Sequence, residues 1–434
     1  MIHVLVTAYA VNPYKGSEDG TGWNWVINLA EYSQVTVITR ANNLPHIDRF
    51  RKEHPGRIPE HLAFVGFDLP QWQRFWKRGS FGALPYYLLW QRALPQFVES
   101  LGLRFDIVHS LNFHNDWTPV QTWKLGKPVV WGPIGHHPKM PEGYVKKPYG
   151  TKQWVMEEMK WGVKQFFWKW SNGLKDSVRN AEAILVMNSS VQQVLELPAR
   201  KTHRMPAVGC ASKPLAAKVP NPKFEVLCVG RFVPLKAPDL AIRAFTTFMA
   251  RLNPRDRRQV RFTLVGKGPM QAQLQEMIHR ADAGQQIELV NWMPQSELFE
   301  RYRSADVFLF PSHEGAGMVI PEALSYGLPV VCFDNFGPGE FVTQTCGIRV
   351  PYTNYARSVC EFADALERLY RNPQSLDRLR IGARTRFEQW FDWRVKAQFV
   401  QQIYRQLIPS AGTDTLPPSG ASQDSGNPSS IGNA

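Results

Sequence analysis

The sequence has few cysteines and no long apolar run among its 434 residues. The five cysteines are an odd number without regular spacing, and Cys228 and Cys332 fall in apolar strand-like runs, where a thiol behaves as a small hydrophobic group. A disulfide framework is therefore not expected, and the reducing cytoplasm is the expected location. No run of roughly 18 apolar residues occurs, so any membrane contact is expected to be peripheral, on the inner membrane face.

Acidic residues are also in deficit. The chain has 51 Lys and Arg residues against 37 Asp and Glu residues, which gives a formal net charge of +14. Such an excess predicts affinity for an acidic partner, which could be nucleic acid, an anionic membrane face or a phosphorylated substrate. No recognisable nucleic-acid-binding module accompanies the charge, so nucleic acid is not the expected partner.

The length and the order of strand-like and helix-like segments predict two α/β domains. A chain of this length exceeds one compact core, and domains of about 200 residues are expected. The first segment, MIHVLVTAYA, lacks the basic start and apolar length of a signal peptide and indicates a strand. Residues 1–205 and 224–388 both alternate strand and helix signals, which is typical of doubly wound parallel sheets facing a cleft. Residues 206–223 are the expected linker.

The C-terminal end of the chain contains two different segments. Residues 389–409 are the last part of a long amphipathic stretch and are expected to be helical. Residues 410–434 have almost no bulky apolar side chains and are rich in Ser, Gly and Pro. This composition predicts a disordered tail without a role in chemistry.

The most informative segment is residues 311–331, PSHEGAGMVIPEALSYGLPVV. Glu314 and Glu322 have seven residues between them, and the segment follows a short apolar run that indicates a buried parallel strand. Open α/β sheets bind nucleotides at the carboxyl ends of their strands. The segment therefore predicts a phosphate site with a carboxylate at each end.

Two glycines in this segment are expected to shape its backbone. Gly315 and Gly317 can adopt positive φ angles and allow close approach to a ligand. Backbone N–H groups at the start of the following helix would then bind an anion. The N–H groups expected to do so are those of Gly317, Met318 and Val319.

The segment resembles a known family signature. After the two glutamates come Ala323, Leu324, Gly327, Pro329 and Val330, and residues 230–245 (GRFVPLKAPDLAIRAF) and 264–274 (LVGKGPMQAQL) are similar to further motifs of that family. Together they resemble retaining glycosyltransferases of family 4. The resemblance implies the GT-B fold, in which two Rossmann-like domains face a central cleft and the final helix crosses back to the N-terminal domain.

The resemblance also implies an activity and its partners. It implies a transferase of the EC 2.4 class that moves a sugar, with retention, from a nucleotide-diphosphate sugar, with a UDP-sugar as the expected donor. The acceptor would be a glycan or a lipid-linked sugar of surface polysaccharide or cell-envelope synthesis. No metal and no cofactor other than the donor are expected. The alternative is a catalytically inactive GT-B protein that binds a sugar nucleotide.

The cations expected to hold the leaving diphosphate follow a strand of the second domain. Arg231 comes directly after Gly230, and Lys236 follows in the same loop. A guanidinium can bind two phosphate oxygens and an ammonium adds a point charge. The alternative for both residues is a solvated loop.

Each glutamate has a role implied by the resemblance. Glu322 would accept hydrogen bonds from the ribose hydroxyls, and Glu314 would contact hydroxyls of the donor sugar. The alternative for Glu322 is a favourable interaction with the helix dipole.

Further candidates come from weaker signals. Gly266, in the turn GKGP, would form a backbone wall beside the nucleotide, and Trp292 and Met293 would contact its base. Gly16, in the glycine-rich segment PYKGSEDGTGWNW, would bind the diphosphate from a flexible loop of the first domain. An ordinary turn or loop packing is the alternative for each of them.

Two histidines compete for a polar position near the anomeric carbon. His109 ends the strand-like segment DIVH, and His136 follows the segment VVWGPIG, at the edge where the family places such a residue. His136 is preferred, and a structural role is the alternative for either histidine. His114 and Asp116 are further candidates for contacting the acceptor.

Two basic aromatic segments, residues 71–92 and 146–170, bear on the acceptor. In the second, one apolar face is expected to be core and comprises Val155, Met159, Val163, Phe166 and Trp170. A second face carries a tryptophan at every seventh residue, Trp154, Trp161 and Trp168. It is expected either to pack under the C-terminal helix or to enter a membrane interface beside its lysines.

Overall fold

The computed structural model describes residues 1–77, 82–111, 115–212, 222–317 and 319–408. The strands of the first domain are β1 (His3–Thr7), β2 (Gln34–Thr39), β3 (Leu62–Gly66), β4 (Ile107–Ser110), β5 (Val129–Ile134), β6 (Ala183–Val186) and β7 (Thr202–Arg204). Its helices are α1 (Ser17–Leu29), α2 (Leu44–Glu53), α3 (Gln71–Arg74), α4 (Ala83–Ser100), α5 (Glu142–Trp170), α6 (Asn172–Asn180) and α7 (Ser189–Val194). The strands form one seven-stranded sheet in the order β3-β2-β1-β4-β5-β6-β7.

The second domain repeats this design. Its strands are β8 (Phe224–Val229), β9 (Val260–Val265), β10 (Ile287–Val290), β11 (Val307–Phe310), β12 (Val330–Phe333) and β13 (Gly347–Val350). Its helices are α8 (Pro238–Ala250), α9 (Pro254–Arg257), α10 (Gln271–Arg280), α11 (Gln295–Ser304), α12 (Val319–Ser325), α13 (Pro338–Phe341), α14 (Tyr355–Arg371) and α15 (Pro373–Trp390). The six-stranded sheet has the order β10-β9-β8-β11-β12-β13. The last helix of the chain is α16 (Trp393–Leu407).

Both sheets are parallel and are buried on both faces. In β1, Val4 packs into one hydrophobic layer and Leu5 into the opposite one. In β8, Val226 and Leu227 divide in the same way. Helices on both faces require strands that are apolar throughout, which is why the strands were visible as continuous apolar runs. The predicted pair of doubly wound α/β domains is confirmed.

Helix α16 returns to the first domain. Val400, Ile403 and Tyr404 pack in the same layer as Val4, and Ser33 Oγ donates to Gln401 Oε1 at 2.7 Å. The predicted crossing of the final helix is therefore confirmed. The long amphipathic stretch that ends with α16 forms two helices, α15 and α16, because the chain turns after α15 and Asp392 caps α16 by accepting from Arg394 N.

Helix α5 connects the two domains. Its first turns belong to the core of the second domain, where the Tyr144 ring stacks on Tyr352 with centroids 4.8 Å apart and Tyr144 Oη lies 2.7 Å from Ser358 Oγ. Gly150 then leaves the helical conformation (φ 85°, ψ 170°), which kinks the helix. After the kink the helix packs on the first domain, where Trp168 Nε1 donates to Asp116 O at 3.3 Å.

The structure contradicts the predicted environment of one apolar face of α5 and decides between the alternatives for the other. The face expected in the core is solvent-exposed, with exposed fractions from 43% for Val155 to 72% for Trp170. The second face, for which packing and a membrane interface were the two alternatives, is packed at Trp161 and Trp168, because these rings lie 5.2 Å apart and both contact His136. An indole suits this position because it is apolar and still donates a hydrogen bond, as Trp168 does.

The glycine-rich segment of the first domain is helical where a flexible loop was predicted. Helix α1 starts at Ser17 and contains Gly20 and Gly22. A Cβ added to Gly20 would lie 2.3 Å from Lys15 O, and one added to Gly22 would lie 2.1 Å from Ala10 O. These glycines therefore allow close packing of the helix against the preceding loop, and that part of the prediction is wrong.

All five cysteines are free thiols. Across the residues that the structure describes, no helix combines the length and the apolar character needed to cross a bilayer. Residues 410–434, predicted to be a disordered tail, and much of the predicted linker lie outside the described residues.

Candidate active site

The candidate site lies at the carboxyl ends of β8 and β11, which are neighbours in the second sheet. The loop after β11 is hydrogen-bonded to the loop after β8: His313 N donates to Leu235 O at 2.9 Å, and Ser312 Oγ donates to the same oxygen at 3.2 Å. These bonds fix the position of Lys236 relative to Glu314. Residues 78 positions apart in the sequence are thereby brought together.

Lys236 and Glu314 form the central ion pair. Lys236 Nζ contacts Glu314 Oε1, and their side chains are only 16% and 15% exposed. The ammonium also lies 5.1 Å from the centroid of the Phe310 ring. Burial raises the pKa of Glu314, and the positive charges of Lys236 and Arg231 act in the opposite direction. Arg231 itself is exposed. Three predicted site residues therefore meet at one sheet edge.

Glu322 lies on α12, the helix that follows this loop. The Tyr302 hydroxyl donates to Glu322 Oε2 at 3.0 Å, which orients the carboxylate. Tyr302 is buried, and its burial, followed by the negative charge of Glu322, raises its pKa well above the usual value. Val319 is the first residue of α12, and Met318 lies outside the described residues.

Gly315 is the point where the first domain meets this loop. A Cβ added to Gly315 would lie 2.1 Å from His136 O, and Asn188 Nδ2 donates both to Gly315 O at 3.1 Å and to His136 O at 2.8 Å. Gly315 N also donates to His137 Nδ1 at 3.2 Å. The expected positive φ is wrong for both Gly315 and Gly317. Glycine is needed at 315 because backbone of the other domain approaches it, and at 317 a Cβ would lie 2.8 Å from Ile320 Cδ1.

His136 faces this junction from the first domain. Its Nδ1 lies 2.7 Å from Asp116 Oδ2, and both side chains are buried. The Trp168 and Trp161 rings lie 5.1 and 5.9 Å from the imidazole. Asp116, predicted to contact an acceptor, is bound to this histidine instead.

His109 lies in the core of the first domain and not at this junction, so the prediction that it could lie near the anomeric carbon is wrong. It is buried under α16, with Nδ1 2.5 Å from Tyr404 Oη and Nε2 2.7 Å from Gly132 O. Burial lowers its pKa to about 4. Both ring nitrogens are occupied within the core, which is the structural role that remained the alternative. His114 lies outside the described residues.

The weaker candidates have different environments. Gly266 (φ 158°) lies against Gly230, since an added Cβ would be 1.8 Å from Gly230 O. Trp292 is 72% exposed and Met293 is buried in the layer that contains Phe310. Gly16 is the exposed residue that precedes α1. Their roles toward a nucleotide stay predictions.

Glu340 joins the domains beside the site and was missed by the sequence reasoning. It accepts hydrogen bonds from Ser189 N at 3.1 Å and from Ser189 Oγ at 2.7 Å, and it forms an ion pair with Arg204. His137 and Asn188 were also not predicted from the sequence. None of these residues belongs to a motif, and only the positions of His137 and Asn188, shortly after β5 and β6, could have indicated a role.

No cluster of three or more His, Cys, Asp or Glu side chains able to hold a metal ion occurs in the described part of the chain. Metal independence stays a prediction.

The sequence of the second domain matches a family model. Residues 215–386 match the model described as "Glycosyl transferases group 1". The chain is 32% identical over 221 residues to a D-inositol 3-phosphate glycosyltransferase of Kineococcus radiotolerans, covering 47% of this chain and 49% of that protein. It is 35% identical over 195 residues to the enzyme of the same name from Frankia alni, covering 43% and 46%. The chain thus spans about half the length of the curated relatives it matches.

Solved structures resemble the whole chain. A glycosyltransferase from Rickettsia africae has a TM-score of 0.62 at 15% identity, covering 94% of this chain and 99% of that one. Anabaena HepE, solved in complex with UDP, has a TM-score of 0.60 at 16% identity, covering 94% and 100%. The chain therefore has the predicted GT-B fold. The match to the glycosyl transferases group 1 model covers residues 215–386, which is less than half of the chain.

Proposed function

We propose that the protein is a retaining glycosyltransferase that uses a nucleotide-diphosphate sugar, with a UDP-sugar as the expected donor. The observation that carries the proposal is the convergence of Lys236, Glu314 and Arg231 at the sheet edge where Gly315 meets the first domain. The names of the relatives support glycosyl transfer, and the UDP bound to Anabaena HepE supports the donor class.

Arg231 and Lys236 are proposed to stabilise the leaving diphosphate. Negative charge develops on the bridging phosphate oxygen as the glycosidic bond breaks, and fixed cations lower the energy of that state. An ammonium has three N–H donors, so Lys236 can bind Glu314 and still donate to phosphate. The exposed guanidinium of Arg231 can bind two phosphate oxygens.

The two carboxylates are proposed to position the sugar and the nucleoside. Ionised carboxylates accept hydrogen bonds only, which suits sugar hydroxyls. Glu314 would accept from the transferred sugar, held in place by Lys236. Glu322, oriented by Tyr302, would accept from the ribose. His136 would contact the same sugar from the first domain.

Retention of configuration is proposed to follow from use of the leaving group as base. The bond from the anomeric carbon to the phosphate oxygen breaks, and a bond to the acceptor oxygen forms on the same face. The acceptor proton passes to the departing phosphate oxygen. This series of reaction steps requires no protein nucleophile and no metal, and metal independence is part of the proposal.

The acceptor is proposed to be a glycan or a lipid-linked sugar in surface polysaccharide or cell-envelope synthesis, reached at the inner face of a membrane. The basic character of the chain and the exposed apolar face of α5 support an acceptor at such a surface.

Donor hydrolysis and product analysis test the proposal. UDP-sugars and GDP-sugars are first screened by thermal shift, and the stabilising donor is then incubated with the protein and its hydrolysis measured. We expect hydrolysis by the wild type and its loss in Arg231→Ala, whereas Arg280→Ala on the surface of α10 leaves it unchanged. An inverted anomer in the released sugar, or a donor that binds without turnover, would overturn the proposed reaction.

A further inference from the structure

An apolar row runs along the solvent side of α5. The outer face of α5 is defined here by six side chains, Val155, Met156, Met159, Val163, Phe166 and Trp170, which are between 43% and 72% exposed. At 3.6 residues per turn they fall within an arc of about 100° and extend for about 22 Å. Exposed apolar side chains are ordinary when scattered, but a contiguous row of this length indicates an interaction surface.

The opposite side of the same helix is already occupied. Trp161 and Trp168 pack against His136, and Lys164 Nζ donates to His137 O at 2.9 Å. The helix therefore cannot rotate to bury its outer face without breaking these contacts. Among the described residues of this domain the outer face stays exposed, so it is available to a partner from outside the domain.

Lysines border the outer face. Lys160 and Lys169 lie about 40° beyond its two borders, and the exposed Lys152 falls within its arc at the N-terminal end. The two carboxylates of this stretch lie further from the arc, Glu157 about 100° and Glu158 about 60° beyond its borders, and they are paired with Lys160 and Lys139. The surface is thus apolar along its middle and basic at its edges, which is the pattern of a helix that lies in a membrane interface.

Charge and composition distinguish between the possible occupants. Residues 410–434 contain almost no bulky apolar side chains, so the tail of this chain is a poor match for an apolar row. A second copy would bring together two faces with lysine borders on chains of formal net charge +14, which repel each other. An anionic bilayer offers both an apolar interior and opposite charge.

We propose that the outer face of α5 docks the protein on an anionic lipid bilayer. The apolar side chains would enter the boundary between headgroups and acyl chains, with Lys152, Lys160 and Lys169 close to lipid phosphates. Because the inner side of the helix contacts His136, docking would hold the cleft beside the membrane. That last consequence rests on the proposed function, whereas the docking itself does not.

Vesicle flotation tests the docking. Full-length protein is floated with vesicles of phosphatidylcholine alone or with about one third phosphatidylglycerol. We expect the wild type to bind to the anionic vesicles only. The double variant Phe166→Ser and Trp170→Ser should lower the partition coefficient at least about tenfold. The control substitutions Ile381→Ser and Val395→Ser, which remove exposed apolar side chains elsewhere, should not lower it. Lys160→Gln combined with Lys169→Gln should weaken binding and reduce its dependence on salt.

Several outcomes would overturn the docking proposal. The first is unchanged flotation of the Phe166 and Trp170 double variant, and the second is equal binding of the wild type to neutral vesicles. The third is a wild-type dimer in solution that this double variant converts to a monomer, because the occupant of the outer face would then be a second copy of the chain. Donor hydrolysis is measured on the same samples without vesicles. A wild type that floats but does not hydrolyse any donor would reject the proposed function and leave the docking intact.

Discussion

His136 Nδ1 lies 2.7 Å from Oδ2 of Asp116 at the junction between the domains. A carboxylate accepts hydrogen bonds, so this contact assigns a proton to Nδ1, and in the neutral imidazole Nε2 is then the acceptor. The position of the imidazole is fixed further by Trp161 and Trp168. Asp116 therefore acts as a positioning residue for His136.

Asp116→Asn is expected to lower kcat roughly 10²-fold, because the amide can donate where the carboxylate accepts and so favours the wrong tautomer and orientation of His136. KM for the donor should change little, and thermal unfolding should show a folded protein. The comparison is Asp48→Asn on the surface of α2, which should leave both constants unchanged. A folded Asp116→Asn variant with wild-type kcat would contradict the assignment.

Buried His109 predicts acid sensitivity of the first domain. Its pKa is about 4 in the folded protein against 6.5 in the unfolded chain, so the unfolded chain binds more protons between these values. The stabilisation is present above pH 6.5 and is lost as the pH falls toward 4. Urea unfolding across this range should show a shallower decline for His109→Gln than for the wild type. His279→Gln, on the surface of α10, should follow the wild type.

Part of that acid dependence should survive in the His109 variant. His313 is also buried, and burial lowers its pKa to about 3. It therefore contributes in the same direction from the second domain. A curve for His109→Gln that still matches the wild type throughout would show that His109 is not the source of the sensitivity.

The fold could be predicted because its signals are local. Strands such as β8 and β11 are continuous apolar runs, and they need helices on both faces, which specifies a parallel sheet. The meeting of Arg231, Lys236 and Glu314 was predictable for the same reason, since the carboxyl ends of parallel strands share one edge. His136 also follows a strand at such an edge.

Contacts between distant parts of the chain could not be predicted. Helical spacing identifies two apolar faces on α5 but does not say which of them meets a neighbour, so the face predicted to be core is exposed instead. Glu340 pairs with Ser189 across 151 positions, and no local pattern marks either residue. His109 and His136 both lie at the carboxyl end of a predicted strand, so the sequence does not distinguish them. Only the contact of Tyr404 on α16 with His109 shows that His109 belongs to the core.

Glu314 should make stability depend on pH in the opposite sense to His109. Burial raises its folded-state pKa above 4.5, so the folded protein binds the extra proton. The contribution of Glu314 to the free energy of unfolding is fully present below pH 4.5 and is lost as the pH rises through the raised pKa. Lys236→Met removes a charge that opposes this shift and should enlarge the loss. Unfolding curves of Lys236→Met, Glu314→Gln and the double variant separate the two effects.

The sign of the Glu314 effect has a direct check. Glu314→Gln carries no titrating carboxyl, so its stability should vary less with pH near the acidic range than that of the wild type. Lys236→Met in the Glu314→Gln background should then cause no further pH dependence. A larger loss at high pH in Glu314→Gln than in the wild type would contradict the assignment.

Glu340 should control how firmly the domains are held together. Glu340→Ala leaves Ser189 N–H, Ser189 Oγ and Arg204 without their shared acceptor, which should cost roughly 1–3 kcal/mol of interface stability. We expect a larger radius of gyration by small-angle scattering and a higher KM for the donor. Glu276→Ala, which removes an exposed ion pair with Arg280 within α10, is the matched control. Unchanged scattering and KM would show that other contacts hold the domains together.

Trp292 provides the sharpest test of where the nucleotide base lies. Its ring is 72% exposed and follows β10, one strand beyond the Gly266 turn, so a base stacked on it would cover a surface now in water. Stacking of a base on an aromatic ring is worth ~1–3 kcal/mol, so Trp292→Ala should raise the Kd of UDP about tenfold or more in calorimetry. Trp170 is equally exposed at 72%, and Trp170→Ala should leave UDP binding unchanged while weakening vesicle flotation. The two variants thus report on different surfaces with side chains of the same size and exposure. If Trp292→Ala binds UDP as the wild type does, the base lies elsewhere, and the loop after β9 at Gly266 becomes the next place to test.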